Sequence, residues 1–278
     1  MNQFKITLLF AFTVLFLNDA FAIPNCYIYK EDEKCYEACK EAEKAIMHAQ
    51  GSRASQEHFM KSIELCPEFA YSFFEQSVPY AKRGQMNLWI DMIDKAVALE
   101  PEEYLAQRGW YHWFFMHNYE KAIADINELD ELVDYDIGET GDGLYHLNII
   151  KGLCYKGLGD HEKAIEVIEK YMASEDYYQR SYDNLHLGVL YLDVNKPNEA
   201  LIEFEKQMAN NPISEAYFYS AKAFQRLGDL DKTLEYLKIS LEKYDNNMAM
   251  HNPYRQLVDE IYRLDIEEEI EAIDRKRL

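Results

Sequence analysis

The stretch Leu227-Gly228-Asp229-Leu230-Asp231-Lys232-Thr233-Leu234 hands a turn over to a helix, and three other stretches do the same. They are Met116-His117-Asn118-Tyr119-Glu120-Lys121-Ala122-Ile123, Leu158-Gly159-Asp160-His161-Glu162-Lys163-Ala164-Ile165 and Val194-Asn195-Lys196-Pro197-Asn198-Glu199-Ala200-Leu201. Counted between Ala122, Ala164, Ala200 and Thr233, they recur at 42, 36 and 33 residues. Recurrence near ~34 residues marks a helix-turn-helix solenoid, in which each unit buries its apolar face only against its neighbours.

Each stretch repeats one physical logic. Asn118, Asp160 and Asp229 stand where an N-cap acceptor is wanted, and Pro197 suits a first turn, where its missing N–H has no helical partner. Small Ala122, Ala164 and Ala200 let two helices approach closely. Four residues later, on the same helical face, come the large apolar groups Ile126, Ile168, Phe204 and Leu237. Working backward from each turn, a small residue precedes an aromatic by three places: Ser77 and Tyr80, Gly152 and Tyr155, Gly188 and Tyr191, Ala221 and Phe224. Pro67, Pro101 and Pro212 follow the second helices, as Pro does just past a helix end.

This order of small residue, aromatic, turn, Ala, large apolar residue and Pro resembles the tetratricopeptide repeat (TPR) family over residues 36 to 245, most strongly at 144 to 172 and 181 to 245. Segments such as Gln50-Gly51-Ser52-Arg53 also resemble those of secreted or periplasmic bacterial TPR proteins. The resemblance implies an all-α, right-handed solenoid of about six helix pairs over residues 23–250, with one extra residue in the third pair around Trp110 to His117. Beyond it, Asn252 to Ile273 places Tyr254, Leu257, Val258, Ile261, Leu264 and Ile270 at helical intervals, so residues 251–278 are expected to form a capping helix.

Composition agrees with helix: 278 residues hold only 7 Pro and 11 Gly. The net charge of −21 repels phosphate backbones and anionic lipid headgroups, which argues against nucleic acid and membrane surfaces as partners. At the N-terminus, Lys5 precedes an uncharged run from Ile6 to Leu17 that ends near Ala20-Phe21-Ala22. That run is shorter than the ~20 residues a spanning helix needs. Residues 1–22 read as a signal peptide cut after Ala22, which places the chain in the periplasm or outside the cell.

An oxidising compartment makes disulfides the expected fate of cysteine. Cys35 and Cys39 share one helical face, and either can meet Cys66 at the end of the next helix, with Cys26 taking the remaining thiol. Cys-x3-Cys with no His at matching spacing does not support a metal site. Cys154, beside Tyr155, reads as a small buried apolar residue. The longest repeat interval holds an insertion, Asp134 to Gly143, rich in acids and glycines. Its sixth and twelfth places hold Glu139 and Tyr145 where a calcium-binding loop wants Gly and Glu, so it reads as a flexible turn.

The TPR resemblance implies a concave groove lined by the first helix of each pair. On that register the groove residues are Phe74, Lys82, His146, Lys156, Tyr182, His186, Asp193, Tyr219, Lys222 and Arg226. Tyr, His and Arg in a concavity are residue types that anchor partners. The chain has no Gly-x-Ser-x-Gly elbow, no His-Glu-x-x-His pair and no phosphate-binding Gly-x4-Gly-Lys motif, and its eight His are scattered. The expected function is therefore non-catalytic binding of a protein or peptide, without a cofactor. The alternative is a glycan-binding accessory role in a bacterial envelope or polysaccharide-uptake system, which the aromatic content of 22 Tyr, 14 Phe and 3 Trp also suits.

Overall fold

A computed structural model describes residues 24–141, 143–252 and 256–277, so the segment read as a signal peptide, Asp142 and Tyr254 lie outside the described residues. Among the described residues all regular structure is helical, and the chain divides into two compact units, up to Pro79 and from Tyr80 onward.

The first unit opens with a 3-10 turn, Cys26–Tyr29, then α1 (Glu33–Ile46), α2 (Arg53–Leu65) and the start of α3 (Ala70–Lys82). Asp32 caps α1 by accepting from the Lys34 and Cys35 amides, and Ser52 caps α2 by accepting from Ser55. Cys35, Ala38, Cys39, Ala42 and Ala45 fall on one face of α1 and are buried against Phe59 and Phe69. Two disulfides pin this core, Cys26 to Cys39 and Cys35 to Cys66, with Cα atoms 5.4 and 5.0 Å apart. Of the two ways to meet Cys66, the helix turns Cys35 toward it. Ser62 ties the helices together, donating to the Ala38 carbonyl and sharing a hydrogen bond with Ser72, each 2.7 Å long.

The second unit carries α4 (Met86–Leu99), α5 (Pro101–Phe114), α6 (Tyr119–Leu132), α7 (Leu147–Gly157), α8 (His161–Met172), α9 (Asp183–Asp193), α10 (Pro197–Asn210), α11 (Ser214–Arg226), α12 (Leu230–Asp245) and α13 (Arg263–Arg277). Helices α5/α6, α7/α8, α9/α10 and α11/α12 pack as pairs, and each pair packs on the next, which is an α-solenoid. The turn inside each pair repeats one device. Asp160, Lys196 and Asp229 donate their amides to the carbonyls five residues earlier, Tyr155, Tyr191 and Phe224, around a left-handed residue at Gly159, Asn195 or Gly228. In the α5/α6 turn Asn118 instead reaches back six residues to His112, which absorbs the extra residue there. Asn118, Asp160 and Asp229 then cap the next helix through the amides of Lys121, Lys163 and Lys232.

The small residues have a physical cause at Gly152 and Gly188. A Cβ on Gly152 would lie 2.4 Å from Ile168, and one on Gly188 would lie 2.4 Å from the Phe204 ring, so only glycine admits these partners. Both Ile168 and Phe204 are fully buried.

The C-terminal expectation needs correction: the capping helix starts at Arg263, and residues 256–262 are not helical. Asp259 has a left-handed φ of +65°, which no helix tolerates, and Leu257, Asp259 and Ile261 are turned into the unit. Helix α13 itself covers the last pair by burying Ile266 and Ile273 in the cluster of Phe218, Ala221, Leu234 and Leu237.

Candidate functional site

Six of the ten groove residues converge, and what they converge on is the chain's own C-terminal segment. Lys156, on α7, donates to Asp259 Oδ1 at 2.5 Å, and His186 Nδ1, on α9, lies 2.7 Å from Asp259 Oδ2. The Asp259 side chain is only 6% exposed and His186 is fully buried. Burial alone would raise the Asp259 pKa, but the Lys156 ammonium and the His186 hydrogen bond outweigh it and hold the carboxylate below its ordinary value. Asp193 joins from the end of α9, 3.6 Å from Lys156 and 3.4 Å from His161. Tyr182 and Tyr219 pack on the cluster that contains Met250 and Leu257. Lys222, on α11, donates to Glu269 of α13 at 2.6 Å.

Two carboxylates that the sequence reading passed over complete this arrangement. One is Asp259. The other is Glu215, at the start of α11, fully buried, whose Oε1 accepts the Met250 amide at 3.0 Å. Burial pushes its pKa up to about 7. No local signal marked either carboxylate among the 50 acids, since Pro253 directly follows Asn252, at a first-turn position that a helix tolerates.

The remaining groove residues stand elsewhere. Phe74 is half-buried in the first unit, and Lys82 is exposed at the end of α3. Arg226 is exposed overall but donates to the Leu192 carbonyl. His146 is fully buried and faces no groove. Its Nδ1 caps α7 by accepting from Asn148 at 3.1 Å, so the ring proton sits on Nε2 and is donated to Asp136 at 2.8 Å. Its ring stacks on Tyr171 with centroids 3.9 Å apart, and burial lowers its pKa.

His146 thereby ties the insertion to the start of α7. Asp136 holds one end through His146, Glu139 pairs with Arg180 at 2.9 Å, and Thr140 exchanges hydrogen bonds with Tyr145. The positive φ values at Gly138 and Gly143 are as expected, and partners from the residues just before α7 and from the segment after α8 hold Asp136, Glu139 and Thr140.

Family models of the tetratricopeptide repeat match residues 145–178 and 215–247, the α7/α8 and α11/α12 pairs. The chain is a TPR protein. No curated protein matches it by sequence. Solved TPR-like folds superpose on most of it. One is pilF of Pseudomonas aeruginosa, with TM-score 0.59, 14% identity, 85% of this chain and 99% of that one covered. Another is PilW, a type IV pilus biogenesis factor, with TM-score 0.58, 14% identity and coverage of 75% and 94%. A third is YrrB, a TPR protein with an unusual peptide-binding site, with TM-score 0.52, 18% identity and coverage of 69% and 95%. At these identities the likeness is one of fold. Within this TPR array, the face formed by α7, α9 and α11 is occupied in cis.

Proposed function

We propose that this TPR protein is a non-catalytic scaffold that works outside the cytoplasm and positions a protein partner through its array. The observation that carries the reading is the handling of residues 256–262. This non-helical stretch is held against first helices by an ammonium and a buried imidazole on one carboxylate and by Tyr-lined apolar contacts to Leu257, and Lys222 anchors Glu269 of the helix that follows. That is peptide recognition chemistry, with polar anchors fixing register and apolar contacts supplying affinity. The fold of YrrB and PilW supports a protein-binding role. Two disulfides in the first unit support an oxidising compartment, since such bonds persist outside the cytosol.

The test joins location and binding. N-terminal sequencing of the chain from its own source should begin at Ile23. Chemical crosslinking in that source, followed by mass spectrometry, should join a partner to the exposed rim of α9 and α11. The charge reversals Asp193→Lys and Arg226→Glu should remove that crosslink while circular dichroism stays helical. An uncleaved chain inside the cytoplasm, or crosslinks unchanged in the variants, would end this reading.

A further inference from the structure

The face of α7, α9 and α11 already holds a ligand, and that ligand is the chain itself. Leu257 and Asp259 fill it at 3% and 6% exposure, although residues 256–262 form no helix. We propose that residues 256–262 are a displaceable stand-in, and that the face takes from another protein a non-helical segment carrying an aspartate with apolar side chains two residues to either side. This rests on the scaffold reading above and adds what the partner must present.

Charge complementarity carries the argument. Lys156 of α7 and His186 of α9 converge on Asp259, and Lys222 of α11 meets Glu269. The array's own carboxylates on this face are Asp193 and Glu215. Asp193 lies between Lys156 and His161, at 3.6 and 3.4 Å, and Glu215 accepts the Met250 amide. Asp259, at 2.5 Å, is the closer partner of Lys156. In a chain of net charge −21, this is a face where cations on three successive first helices accept carboxylates from outside the helix pairs.

The segment is fastened so that it can leave without taking the fold with it. On its N-terminal side the Ser214 amide donates to the Met248 carbonyl at 2.7 Å, and the Met250 amide donates to Glu215. On its C-terminal side α13 is seated through Ile266 and Ile273 in the cluster of Phe218, Leu234 and Leu237. Both flanks stay docked while residues 256–262 move out as a loop between them. Exchange also avoids the costly state. Removing one member of a buried charge pair strands the other, whereas an incoming aspartate replaces Asp259 on Lys156 and His186 directly. What the cis segment keeps is its tether, equivalent to an effective concentration on the order of millimolar. The face is therefore closed to isolated carboxylates and opens to a partner whose flanking apolar residues add to the aspartate.

The test is fluorescence polarisation of a labelled peptide with the sequence Gln256 to Tyr262, titrated with the full chain. Wild type should bind it weakly, because the site is filled in cis. Asp259→Asn tolerates the left-handed φ and loosens the cis segment, and it should bind the peptide at least tenfold more tightly. The same peptide carrying Asp259→Asn should bind that variant at least tenfold more weakly than the native peptide does. If the variant fails to fold, amide exchange of wild type decides: excess native peptide should speed exchange at Leu257 to Tyr262 and leave α13 unchanged. No binding by a folded variant, equal binding by variant and wild type, equal binding of the two peptides, or exchange unaltered by the native peptide would each overturn the displacement. Crosslinks at the α9 and α11 rim that persist beside such a result would leave the scaffold reading standing, so the two fail separately.

Discussion

Single carboxylates set the behaviour of this chain in opposite directions. Glu41, on α1, is 3% exposed. Burial would raise its pKa, but hydrogen bonds from Lys44, His58 and Lys61 hold it at about 2. A folded pKa below the unfolded value contributes stability that is present above about pH 4.5 and lost as pH falls toward 2. Glu41→Gln should therefore cost stability at pH 7 and little at pH 2.5, as read by urea midpoints. Glu215 has the opposite sign. Its pKa near 7 lies above the unfolded value of 4.5, so its contribution is complete below pH 4.5 and is lost as pH rises through 7. Glu215→Gln keeps an acceptor for the Met250 amide and removes the charge. Its melting temperature should gain on wild type between pH 5 and pH 8, and parallel curves would refute the assignment. At Asp259, substitution by Ala leaves Lys156 and His186 facing each other without their shared acceptor. Such a loss costs about 3–5 kcal/mol in a buried pair. Urea unfolding should show it, and Asp259→Asn, which tolerates the left-handed φ and keeps one acceptor, should lose less.

Elements in this array are matched by size. Gly188 lies within α9 opposite Phe204 of α10, and both residues are fully within the core. Helix propensity alone favours Gly→Ala by about 1 kcal/mol. Against it stands overpacking of about 1–3 kcal/mol, because the ring 2.4 Å from the new Cβ has no space to yield. Overpacking wins, so Gly188→Ala should lower the melting temperature, and Gly188→Ala with Phe204→Leu should regain part of it. The insertion before α7 shows the converse case. Its glycines were legible as turn residues, but nothing local announces that His146 would reach Asp136 or that Arg180 would reach Glu139. Those partners lie ten and forty-one residues apart, beyond the reach of any helical period.

Across the whole molecule, covalent and packing constraints are unevenly spread. Both disulfides fall between Cys26 and Cys66, and the Cys35–Cys66 bridge closes a 31-residue separation. Loop-closure entropy for such a span is about 3–4 kcal/mol. Reductant should lower stability by a comparable amount, with amide exchange rising first in α1 and α2, and an unchanged exchange pattern would contradict this. The sequence by itself determined the helix pairs, their turns and the need for small residues at Gly152 and Gly188, because period, caps and close approach are local and are written in neighbouring residues. It also named Lys156, His186, Tyr182, Tyr219 and Lys222 as residues of one surface. Only the tertiary structure decided what that surface meets. Asp259 and Leu257 reach it through a non-helical path from the end of the chain, and Cys35 rather than Cys39 turns toward Cys66. Contacts between residues 73 or 103 positions apart are selected by burial and charge pairing in three dimensions, and neither leaves a periodic trace.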